Sequence, residues 1–164
     1  MSAARFAGLL INHDGSEQEV TQPIVAIPAE LVDGLREGVY RELCCVAESL
    51  TEAVQSSRHP DVDLYQWYGV RVVAACGLLG RIGWSSQERV DALGVDVARE
   101  GMIVVASLRF AREAFIEELD RSVEESRSAE VPALATKVLS CTERLSILEP
   151  RVSGANDHTT GAHG

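Results

Sequence analysis

Apolar residues recur at spacings of three and four along most of this chain, and alternate only near its start. Residues 5–11 (RFAGLLI) and 19–27 (EVTQPIVAI) are short runs rich in β-formers. Between them lies NHDGSEQ, where Asn12, Asp14 and Gly15 supply turn chemistry. The pattern predicts a β-hairpin, with Pro23 placing the second strand at an edge or breaking it. A lone hairpin is barely stable in water. It therefore lies on the helices or pairs with another copy's hairpin, which would make a homodimer.

Helical spacing follows. Pro28 fits the first turn of a helix. Leu31, Leu35, Val39, Leu43, Val46, Leu50 and Val54 then form one apolar face, running to about Ser57. His59-Pro60 ends this helix. Asp61 or Asp63 can cap the next. From Trp67 to Ile82 that second helix is apolar on nearly every side, which places it at the centre of the fold. Gly69, Gly77, Gly80 and Gly83 each weaken it by up to ~1 kcal/mol relative to Ala. Close approach by a neighbouring helix is the usual compensation, and the last two glycines can also terminate the helix.

Ser85-Ser86-Gln87-Glu88 has the form of a capping box. A helix begun there would meet Gly94, and Asp96 could cap a fresh start. Val97, Gly101, Val104, Leu108, Ala111, Phe115, Leu119 and Ser122 continue the pattern. Pro132 sits in the first turn of a last helix. Val131, Leu134, Val138, Cys141, Leu145 and Leu148 then alternate spacings of three and four, the kind of seam used for helix pairing. Packing on the preceding helix is its default use. An interaction seam between chains, through Leu134, Val138, Cys141, Leu145 and Leu148, is the second use.

The expected architecture is mainly α. A four-to-five-helix bundle spans 28–150, an N-terminal two-stranded β-hairpin occupies 1–27, and a disordered polar tail covers 151–164. No internal repeat is visible. With 164 residues, the chain suggests one domain able to bury its own core. Aromatics are only 5%, so Leu, Val, Ile and Ala must fill that core.

The net charge of −10 disfavours nucleic acid, whose phosphates it repels. Arginine outnumbers lysine fourteen to one, the bias expected of a GC-rich bacterial genome. The apolar run 67–82 is shorter than the ~20 residues that span a bilayer and contains Arg71, so no membrane span is expected. Met1 to Ala4 lacks the cationic start and apolar run of a secretory signal. Cys44, Cys45, Cys76 and Cys141 show no CxxC spacing, and read as reduced thiols in a cytoplasm.

Each candidate for chemistry has a plainer explanation. His13-Asp14 resembles the His-Asp pair of metal phosphohydrolases, but it sits in a Gly-containing turn with few other histidines available as ligands. Cys44 and Cys45 lie about 14 residues from His59, roughly 20 Å along a helix, too far for a thiol–imidazole pair. Gly77 to Gly83 lacks the spacing of a phosphate loop. Glu113, Glu117, Glu118, Asp120, Glu124 and Glu125 form a solvated acidic face, and no Glu-x-x-His accompanies them.

Arg71 stands out, because an unpaired charge on so apolar a helix would be expensive. It reaches the surface, or meets Glu100, Glu113 or Glu117, or anchors an anionic ligand. No catalytic set, metal site or cofactor site emerges, which weighs against an enzyme. The first expectation is a non-enzymatic module working by protein–protein contact, with itself or another protein. The alternative is a small-molecule-binding or regulatory domain, with a pocket near Trp67, Tyr68, Arg71 and Trp84.

Overall fold

The computed structural model describes residues 7–11, 17–21, 24–56, 61–83 and 92–157. Among them run β1 (Ala7–Ile11), β2 (Glu17–Thr21), β3 (Ile24–Pro28), α1 (Ala29–Ser56), α2 (Val62–Ile82), β4 (Ala92–Asp96), α3 (Val97–Glu124) and α4 (Val131–Asp157). The fold is mainly helical, with a two-stranded antiparallel sheet near the N-terminus. In that sheet β1 pairs with β2, setting Leu9 opposite Glu19.

The second apolar run divides where Pro23 stands. EQEV and Thr21 form β2, while IVAIP forms β3 and pairs elsewhere. Proline has no N–H to give a ladder, which favours a break there. Pro28 closes β3, and α1 starts one residue later.

β3 pairs antiparallel with β4, a strand that helical spacing alone did not anticipate. Val25 opposes Val95 and Ile27 opposes Leu93, and all four side chains are buried. Ala26 and Gly94, between them, are exposed. This is the period-two alternation of a ribbon with one face on a core.

The ribbon joins two units of the same plan. Each has a five-residue strand, a 28-residue helix and a second helix: β3–α1–α2, then β4–α3–α4. No repeat is visible in the residues; the duplication is one of architecture. The long helices α1 and α3 meet at Gly38. A Cβ added there would stand 2.6 Å from the Ser107 carbonyl oxygen and 2.8 Å from its Cα. Glycine is required because backbone meets backbone. Leu31, Leu35 and Val39 on α1, with Ile103, Val104, Leu108 and Ala111 on α3, surround this crossing and are buried. Beyond Val46 the α1 stripe fades, and Val54 is exposed.

α4 packs along α3 through its seam. Cys141, Leu145 and Leu148 are buried in the common core, while Leu134 and Val138 are half-buried. The turn between these helices is held by Arg127, which pairs with Glu118, Glu125 and Glu130. The hydrogen bond from Arg127, aided by Arg121, holds the Glu118 carboxyl below its ordinary range. The tail expected from residue 151 is helical for its first seven residues, because α4 runs through Pro150 to Asp157. Val152 packs over Gly101 of α3, where it anchors the last turns against the helix-weakening effect of the proline. Residues 158–164 lie outside the described residues.

Two substitutions separate close approach from mere helix propensity. Gly38→Ala should lower unfolding stability by about 2–3 kcal/mol, since neither backbone can retreat cheaply. Gly69→Ala, with open space around its Cβ, should raise stability by up to ~1 kcal/mol. Urea unfolding followed by circular dichroism measures both.

Candidate functional site

Helix α2 was expected at the centre, and it is instead an outer helix. It is pinned at both ends. The Asp61 carboxylate caps its start by accepting the Leu64 N–H at 3.0 Å. At its end, Arg36 of α1 donates from Nε to the Gly83 carbonyl and from a terminal nitrogen to the Ile82 carbonyl, both at 3.0 Å. Arg36 is only 7% exposed and also pairs with Asp33. A cation here satisfies carbonyls that the helix leaves unpaired and suits its negative end. In sequence Arg36 reads as part of α1's polar face, so its role was not legible. Gly83 itself has φ 79°, a conformation that favours glycine.

Between these anchors α2 buries one narrow face: Ala75, Leu78, Leu79 and Ile82. Its opposite face is apolar and uncovered. Val73 is 73% exposed and Val70 59%, with Val62 and Trp67 also largely open. Gly69, Gly77 and Gly80 would meet nothing within 4 Å if each carried a Cβ. Among the described residues, no neighbouring helix supplies the compensation expected for these glycines. Gly34, Gly38 and Gly101, by contrast, each press against a neighbour.

The uncovered face continues into a groove of about 760 Å³ between α2 and the start of α3. Gln66, Gly69, Val70, Val73 and Gly77 form one wall, and Ala98, Arg99 and Glu100 the other. The far wall is rigid. Asp96 caps α3 by accepting from the Ala98 and Arg99 N–H groups, and Glu100 accepts the Asp96 N–H in return. Arg81 of α2 pairs with Glu100 and donates to the Gly94 carbonyl at 2.8 Å. Gly77 to Gly83 thus completes a helix and its cap, with no phosphate-binding loop.

Arg71 turns inward from the uncovered face. A terminal nitrogen meets the Glu42 carboxylate of α1 at 3.0 Å, not any of the three glutamates expected. Its guanidinium lies 4.6 Å from the centre of the Trp67 ring, a cation–π contact. Trp67 in turn packs edge-on against Tyr68. These three residues of the expected pocket therefore stand together, while Trp84 lies outside the described residues. Arg71 also borders a cleft of about 270 Å³, lined with Met102, Arg109, Glu149, Val152 and Ser153. Its Nε is buried without a hydrogen-bond partner.

His13, Asp14 and His59 lie outside the described residues. The acidic residues of α3 mostly face solvent, and no group of three or more His, Cys, Asp or Glu that could hold a metal occurs among the described residues. No described helix is long and apolar enough to cross a membrane. No protein-family model, curated protein or solved structure matches this chain.

All four cysteines are free. Cys45 and Cys76 are exposed, whereas burial pushes the Cys141 thiol up to about 11, against a smaller opposing pull from Arg112. Only the thiolate attacks alkylating reagents. With iodoacetamide at pH 8, Cys45 and Cys76 should be modified in the native chain, and Cys141 only after denaturant is added. Peptide mass spectrometry reads the three sites separately.

Proposed function

We propose that this chain is a non-enzymatic helical module that works by protein–protein contact through the outer face of α2. The single observation behind this reading is an apolar, glycine-lined helix face left open beside a groove. Contiguous apolar surface of this kind marks docking sites in water-soluble proteins. The polar groups nearest to it are engaged in capping and ion pairs, which supports a binding role over a catalytic one. The net charge of −10 argues against phosphate-backbone partners. The exposed thiols of Cys45 and Cys76 support a reducing compartment, and a cytoplasmic setting is part of this proposal.

A photo-crosslinking residue tests the face directly. Placed at Val73, it should give covalent protein adducts in cells. Placed at Leu139, an exposed position on α4, it should give few or none. Equal yields from the two positions would contradict a docking role for α2.

A second reading follows from the orphaned Nε of Arg71. Arg71, with one buried N–H unpaired, borders a cleft that Arg109 also lines, and two guanidinium groups beside one cleft suit a small anion held by charge-assisted hydrogen bonds. On this reading, millimolar inorganic phosphate or succinate raises the melting temperature of the native chain. Arg71→Met abolishes that shift. Identical shifts in the two proteins would remove the anion site.

A further inference from the structure

We infer that the occupant of the α2 face is a second copy of this chain, with the two α2 helices packed antiparallel about a two-fold axis at Val73. The inference rests on the docking reading above and names its partner.

The face is self-complementary about that residue. Gly69 and Gly77 lie four positions to either side of Val73, and Gln66 and Gly80 seven. An axis at Val73 therefore sets Gly69 against the partner's Gly77, and Gln66 against the partner's Gly80. At 3.6 residues per turn all five positions share one side of the helix. The chain already packs helices this way internally, since α1 and α3 meet backbone to backbone at Gly38. Gly69 and Gly77, to either side of the axis, would let two α2 helices approach closely, with Val70 and Val73 filling the space between them.

Charge selects both the surface and the direction. Two copies carrying −10 each repel over most approaches. From Leu64 to Gly80 the only charged residue of α2 is Arg71, which turns inward to Glu42. This strip therefore meets its copy without like-charge contact. The ends of α2 carry opposite signs, with Asp61 and Asp63 exposed at the start and Arg81 at the finish. Arg99, 80% exposed along its side chain and 3.8 Å from the Asp96 carboxylate, stands on the groove wall with Glu100, which pairs with Arg81. This wall therefore offers a second copy exposed guanidinium groups without an excess of negative charge. Asp63 and Arg81 lie on the same flank of the helix, five full turns apart. An antiparallel pair brings Asp63 beside the partner's Arg81 and Arg99, whereas a parallel pair would set like charges together. Antiparallel packing also opposes the helix dipoles favourably. The contact is isologous, the commonest form among soluble oligomers.

Sedimentation and light scattering on the purified chain test this. The mass should be twice 17.7 kDa at a concentration on the order of 100 µM, and should fall toward 17.7 kDa on dilution. Val73→Glu and Gly77→Leu point into open space among the described residues, so each should keep its helical spectrum, and in dilute solution neither should melt markedly below the parent chain. Each should weaken self-association by about 30-fold. In a Cys45→Ser, Cys76→Ser background, Val73→Cys should form a disulfide-linked dimer under mild oxidation, because the axis passes through that residue. A chain that stays monomeric to millimolar concentration overturns the second-copy inference. So does a dimer unaffected by both face substitutions. If the chain is monomeric while crosslinks from Val73 to a different protein persist in cells, the docking reading stands and only the identity of the partner changes.

Discussion

The backbone contact between Gly38 and Ser107 governs this architecture. Two 28-residue helices can cross at that separation only where one side chain is absent. The strands preceding those helices are then brought together, and β3 and β4 pair over the apolar crossing. Burial of Val25, Ile27, Leu93 and Val95 beneath the ribbon adds to the same core. With α1 and α3 occupying the middle, α2 and α4 are left outside, one in each unit.

The two outer helices differ in what they leave uncovered. α4 buries Cys141, Leu145 and Leu148, and lines much of its outer side with polar residues. α2 buries a comparable inner face but has an apolar outer one as well. Most of the polar groups that could have made a reactive site are engaged in holding helix ends. Arg36 closes α2, Asp96 and Glu100 open α3, and Arg81 ties one to the other. The proposed docking role rests on this exposed apolar helix face.

The stripes on α1 and α3 were legible because a helix with one buried face shows it as period. The α4 seam was legible for the same reason, and so were the caps at Asp61 and Asp96. The position of α2 was not. Hydrophobicity on all sides says what a helix could bury, and only the neighbours decide what it does bury. β4 was missed because Leu93 and Val95 alternate around Gly94 over just five residues, too few to outweigh a nearby capping box. The division at Pro23 was visible, but the partner of IVAI lies in another unit, which no local pattern reveals. Of the expected pocket, Trp67, Tyr68 and Arg71 are neighbours on one helix, and of the three Arg71 alone borders the cleft between α3 and α4. The partner of Arg71, Glu42, could not be chosen from among many carboxylates without the fold.

The placement of α2 as an outer helix with one open apolar face is the claim on which the functional account turns. Hydroxyl-radical footprinting of the dilute monomeric chain measures it residue by residue. Trp67, Val70 and Val73 should be oxidised readily, while Leu78, Leu79 and Ile82 on the same helix should be protected. Uniform protection from Trp67 to Ile82 in the monomer would put α2 inside the bundle and contradict the account.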